Sequence, residues 1–130
     1  MTRFDGLRCP PLDTPLIELE TVNGEIVDLY NDHALNCVVL AVDVLSFVFT
    51  WISKDAPTVI RFSGVRNYCV RQPEDWEPQE ADQIDHLLIR PQGQTPGVNF
   101  KAGGLEYEFD CALMALLTLE GPNRIQILDT

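Results

Sequence analysis

ALNCVVLAVDVLSFVFTWI, residues 34–52, decides the reading of this chain, because it is an apolar run that fits two incompatible structures. As a helix it nearly reaches the ~20 residues that cross a bilayer. Asp43 speaks against that, since a carboxylate near the midplane costs about 2.5–3.5 kcal/mol on insertion scales. Val, Phe and Trp also favour pleated backbone. The stretch therefore reads as two strands, 36–42 and 45–52, reversing at or near Asp43-Val44. Phe47, Phe49 and Trp51 are spaced two apart, so they share one face, which is expected to be core. Both faces of the pair are largely apolar, which predicts a central hairpin covered on each side.

Outward from this hairpin the strand signal continues in both directions. Residues 53–57 break the run, and TVIRFS at 58–63 alternates again, with Val59 or Ile60 leading the buried set and Gly64 punctuating it before a short strand at 67–71. Upstream, LIELETV at 16–22 and EIVDLY at 25–30 flank Asn23-Gly24, the dipeptide suited to a type I′ hairpin turn. Residues 1–15 hold three prolines and no sustained period, which predicts an irregular N-terminal arm. Downstream, strands are expected at 84–90 and 98–101. At 105–111, Leu105, Tyr107, Phe109 and Cys111 alternate with Glu106, Glu108 and Asp110, so one face is wet. ALMALLTL at 112–119 contains good helix formers but spans only about two turns without a capping box, so length favours a strand. A turn at 121–123 precedes a last short strand at 124–128. Eight to ten short strands imply an all-β, antiparallel sandwich or partly open barrel. Its core is expected to hold Val39, Phe47, Phe49, Trp51, Ile60, Phe62, Leu105, Tyr107 and Phe109.

The 130 residues match one domain, 1–130, with 45% apolar and 22% charged residues, which excludes collagen-like, disulfide-scaffold and wholly disordered chains. Nine basic against twenty acidic residues give a net charge of -11. Such a surface repels phosphate backbones and anionic membranes, so neither nucleic acid nor a membrane is an expected partner, whereas a basic protein is. Cys9, Cys37, Cys69 and Cys111 are far apart and form no CxxC pair, so they read as separate thiols. Cys37 and Cys111 lie in apolar runs and are expected to pack as small hydrophobes. The N-terminal MTRFDGLRCPPLD lacks the pattern of a secretory signal, and a reducing cytoplasm is expected.

Chemistry-bearing patterns are sparse. His33 follows Asp32 and His86 follows Asp85, but neighbours on a strand diverge, so neither doublet is expected to work as an acid–base pair. Asp28, Asp32, His33 and Asp43 match no metal-ligand spacing. Ser63-Gly64 lacks the frame of a nucleophile elbow and Gly103-Gly104 that of a phosphate loop, so both read as turn glycines. No catalytic residue, cofactor or metal is expected. What remains is QPEDWEPQEADQID, residues 72–85, an acidic loop with six carboxylates and no base. Within it Trp76, among Glu74, Asp75, Glu77 and Glu80, suits an interface anchor, although a loop tryptophan usually folds back to cap the core. As an anchor, Trp76 is expected to be replaceable by Ala with little loss of melting temperature.

Asn31-Asp32-His33-Ala34-Leu35, the hydrophobic hairpin, Val59-Ile60-Arg61-Phe62-Ser63-Gly64-Val65, and the later run from Gly104 to Ala112 together resemble small β-rich bacterial proteins that include polymorphic-toxin immunity proteins. The likeness spans residues 28–119, and this chain has Asp-His where the pattern has His-Asp. The resemblance implies a non-enzymatic cytoplasmic protein of about one domain, which in some members neutralises a toxin by binding it. Two other classes are carried: a small-ligand binder or hydrolase using His33 with nearby carboxylates, and a structural homo-oligomer joined through a strand edge or sheet face.

Overall fold

Alternating apolar positions can be buried only where a second layer covers them, and two sheets supply that layer for each other. The computed structural model of the protein describes residues 2–52, 57–120 and 124–127. Within these, the strands in chain order are β1 (Arg3–Asp5), β2 (Glu18–Glu20), β3 (Ile26–Asp28), β4 (His33–Ala41), β5 (Val44–Trp51), β6 (Pro57–Ser63), β7 (Arg66–Arg71), β8 (Ile84–Ile89), β9 (Val98–Ala102), β10 (Leu105–Asp110), β11 (Leu113–Glu120) and β12 (Arg124–Ile127). The first sheet runs β1-β11-β6-β5-β4, with β12 also on β11; the second runs β7-β10-β9-β8; β2 and β3 form a separate ribbon. None closes into a barrel. The all-β reading holds, and no helix among the described residues is long and apolar enough to cross a membrane.

Between the sheets lie Phe47 and Phe49 of β5, Ile60 and Phe62 of β6, Phe100 of β9, and Tyr107 and Phe109 of β10, all buried. Val59 and Ile60 are both covered, but on opposite faces: Ile60 joins the main core, whereas Val59 joins a smaller cluster with Ala115 and Leu117 against Val48. Leu19, Val27 and Leu29 of the ribbon and its exit extend the main core. Residues 112–119 are extended as length suggested, because β11 is held on both sides, by β6 and by β1 with β12.

Four expectations need correction. The 34–52 hairpin is not central, since β4 is the end strand of its sheet; Val38, opposite Phe47, faces the core, which turns Val39, opposite Ser46, and Cys37, opposite Val48, to the outer face, where Val39 is 49% exposed and Cys37 is exposed rather than packed. Trp51 and Leu105 are half-buried. The N-terminal arm is not wholly irregular, because residues 3–5 pair in parallel with β11 and Leu7 enters the core at 3% exposure. At Asn23-Gly24 the loop is one residue longer than a type I′ turn: Thr21 and Glu25 close it, the Glu25 N–H donates to Thr21 Oγ1, and only Gly24 has a positive φ, of 90°. The break expected at 53–57 lies outside the described residues up to Pro57, which opens β6, and the turn at 121–123 and residue 128 lie outside them as well.

The β4–β5 reversal falls on Val42-Asp43, closed by Ala41 opposite Val44. Val42 adopts φ 58° and is fully exposed. A β-branched residue is strained in that region by roughly 1–2 kcal/mol, and no packing offsets it. Val42→Gly is therefore expected to raise Tm by roughly 2–5 °C in thermal unfolding. A lower Tm would show that the tip is not strained.

Candidate functional site

Two regions carry the polar side chains that the sequence singled out. At the start of β4, His33 is buried, and its Nδ1 lies 2.8 Å from the Asp28 carbonyl oxygen. A carbonyl only accepts, so the ring nitrogen donates, which fixes the tautomer. Asp28 is itself held in a tight turn: its carboxylate accepts from the Tyr30 N–H at 3.1 Å, the Asn31 N–H at 2.9 Å and the Asn31 side-chain amide at 2.8 Å. These bonds, the Asn31 side chain foremost, hold the Asp28 carboxyl below the usual carboxylate range. Trp51 covers the imidazole at 4.0 Å between centroids and Phe49 meets it edge-on at 6.3 Å.

The second ring nitrogen, Nε2, is buried with no hydrogen-bond partner. An unmade bond of this kind costs about 1–3 kcal/mol, and a sealed nitrogen is badly placed to trade protons with a substrate. The open cleft beside His33, about 340 Å³, is lined by Tyr30, Ile52, Asp82 and Asp85 among others. Asp43 sits at the far end of β4, roughly 25 Å along the strand. Asp28, Asp32, His33 and Asp43 therefore do not converge, and among the described residues no group of three or more His, Cys, Asp or Glu side chains could hold a metal ion. Likewise no hydrogen bond or ion pair among the described residues joins His33 to Asp32 or His86 to Asp85.

The acidic loop leaves β7 and crosses to β8 with a single 3-10 turn at Pro78–Glu80; it ends at residue 83 rather than 85, because Ile84 and Asp85 open β8 and Ile84 is buried in the core. Glu74, Asp75, Glu77, Asp82 and Asp85 are exposed and Glu80 is half-buried. Trp76 is half-buried as well, because its ring lies on the β9–β10 turn, where Nε1 donates to the Gly103 carbonyl at 2.9 Å. That turn is a two-residue loop of Gly103 and Gly104, with φ of 64° and 74°. A Cβ on Gly104 would come within 2.6 Å of the indole and 2.8 Å of Glu80 Oε2, so the glycine is also the seat of the tryptophan. At its far end the loop is tied to the first sheet by the Leu35 N–H, which donates to the Asp82 carbonyl at 2.9 Å. The structure thus gathers Glu74, Asp75, Trp76, Glu77 and Glu80 onto one loop clamped at both ends. The seat at Gly103-Gly104 escaped the sequence reading, where the pair served only as a turn.

No family model, curated protein or solved structure matches the chain. The site stands on its own geometry.

Because the indole is pinned, the expectation that Trp76 could be lost without cost in stability does not survive. Trp76→Ala removes ring packing and a hydrogen bond worth about 2 kcal/mol together, so Tm should fall by roughly 6–10 °C. An unchanged Tm in calorimetry would show that the ring does not hold the loop.

Proposed function

We propose that the protein is a non-enzymatic binding domain whose acidic segment, 72–85, engages a basic protein partner, in the manner of an immunity protein covering a toxin. The observation that carries this reading is the combination of six carboxylates without a base and a loop clamped by Trp76 and Asp82. A clamped loop loses little conformational entropy on binding, so its charges are spent on the partner instead of on ordering. The net charge of -11 favours the same partner by steering a basic face toward the molecule. The likeness over residues 28–119 to small β-rich bacterial proteins of the immunity type supports a cytoplasmic setting for this role. The rival reading, ligand or substrate chemistry at His33, has less to work with, since Nε2 is sealed and the ring's other nitrogen is engaged.

The loop's role is tested by affinity capture from the source cell at low and high salt. The comparison is between the wild-type chain and a variant carrying Glu74→Gln, Asp75→Asn and Glu77→Gln, all exposed positions whose neutralisation leaves the fold intact. Basic proteins should be retained by the wild type at low salt and released by salt, and the triple variant should retain about a tenth as much or less. Capture of the same proteins by both chains would sink the assignment to this loop.

A further inference from the structure

The sheet edges of this protein are not guarded alike. A free strand edge exposes unpaired N–H and C=O groups, and natural edges are blunted by charge, proline or a covering segment. In the second sheet, β7 carries Arg66 and Arg71, and Arg71 pairs with Glu106 and Glu108. The other edge, β8, is covered by the N-terminal arm: Leu16 and Leu87 exchange backbone bonds of 2.7 and 2.8 Å, and the Asp13 N–H donates to the Ile89 carbonyl at 2.7 Å. In the first sheet β1 carries Arg3 and Asp5. The β4 edge differs. From residue 36 to 42 it reads NCVVLAV, with no charge, proline or glycine. Val39 is 49%, Leu40 47% and Val42 100% exposed.

The register says which backbone groups point outward. Ala41 and Val44 close a two-residue loop, so they form a hydrogen-bonded pair, and alternation along the ladder then turns the N–H and C=O of Leu40 and Val38 away from β5. The same alternation, carried past the bulge between Leu35 and Cys37, turns the Leu35 N–H outward, where the Asp82 carbonyl takes it. The open segment thus starts after Leu35 and ends at the hairpin tip. Its midpoint is Val39, flanked symmetrically by the two residues whose bonding groups face out. Among the described residues none meets those groups.

We propose that this edge pairs antiparallel with the same edge of a second copy, about a twofold axis at Val39. Val38 of each chain then exchanges both backbone bonds with Leu40 of the other, and Val39 faces its twin in a non-hydrogen-bonded pair about 4.5 Å apart at Cα. Two molecules of charge -11 repel over most of their surface, and a neutral strand is where they can meet without opposing carboxylates. In this register Ala41 lies opposite Cys37 at each end of the paired segment, and Asp43 falls beyond it at Leu35, where the Asp82 carbonyl already holds the outward N–H. A basic partner would find no carboxylate along residues 36–42, and the acidic loop meets β4 only below them, at Leu35. The two six-stranded sheets become continuous across the junction.

Sedimentation equilibrium in reducing buffer, over a concentration series reaching the high micromolar range, tests the pairing. The wild-type chain should pass from monomer to dimer and stop there. Val39→Lys, at an exposed position, sets like charges face to face and should weaken association by about tenfold or more. As an independent check, the Cys37→Ser, Val39→Cys double variant should form a 39–39 disulfide dimer on mild oxidation, because the close cross-strand pair suits disulfide geometry. A wild-type chain that stays monomeric, masses that grow beyond a dimer, a dimer indifferent to Val39→Lys, or a double variant that does not crosslink would each overturn the proposal.

Discussion

Phe47 touches three other rings at once: Phe100 at 4.6 Å, Tyr107 at 5.0 Å edge-on and Phe62 at 5.8 Å edge-on. Phe109 continues the stack from Phe62 at 4.8 Å. These rings come from β5, β6, β9 and β10, so one aromatic layer joins two sheets that share no strand pairing. Edge-to-face ring pairs contribute about 0.5–1.5 kcal/mol each beyond the area they bury. The peripheral features of the molecule depend on this layer, since it fixes where the β9–β10 turn stands relative to the loop that rests on it, and where the end of β4 lies relative to β8.

Much of that layer was legible from period-two spacing alone. Phe47, Phe49, Ile60, Phe62, Tyr107 and Phe109 were all expected in the core and are all buried. Alternation reports which face a side chain takes only while the period runs unbroken, and β4 carries a register shift between Leu35 and Cys37. Beyond it Val38, opposite Phe47, takes the core face and Val39, opposite Ser46, the outer one. Short elements were equally opaque. β1 is three residues long and exists because β11, more than a hundred positions away in the chain, offers it a ladder. The turn after β2 lengthened because the Thr21 hydroxyl took a backbone N–H that a tighter turn would have used differently.

For the candidate site the legible part was composition and the illegible part was anchoring. The sequence marks residues 72–85 as acidic and lacking strand character, and residues 72–83 do lie on the surface between β7 and β8, while Ile84 and Asp85 belong to β8 and Ile84 is buried. Nothing in the local sequence says that Trp76 rests on glycines 27 positions downstream. His33 failed in the opposite sense. Its neighbour Asp32 suggested a carboxylate partner, yet the imidazole turned to the carbonyl of Asp28 and under Trp51, because a half-apolar ring at the start of a strand gains more from burial than from a surface ion pair.

If the aromatic layer is what unites the two sheets, they must open together. Residue-resolved native-state hydrogen exchange measures this directly, through the amides of Phe47 and Phe49 in β5, Ile60 and Phe62 in β6, Phe100 in β9 and Tyr107 in β10. The account predicts a single slowest class, in which all six exchange with one common free energy equal to that of global unfolding. Two separate classes, with β5 and β6 opening at one free energy and β9 and β10 at another, would contradict it.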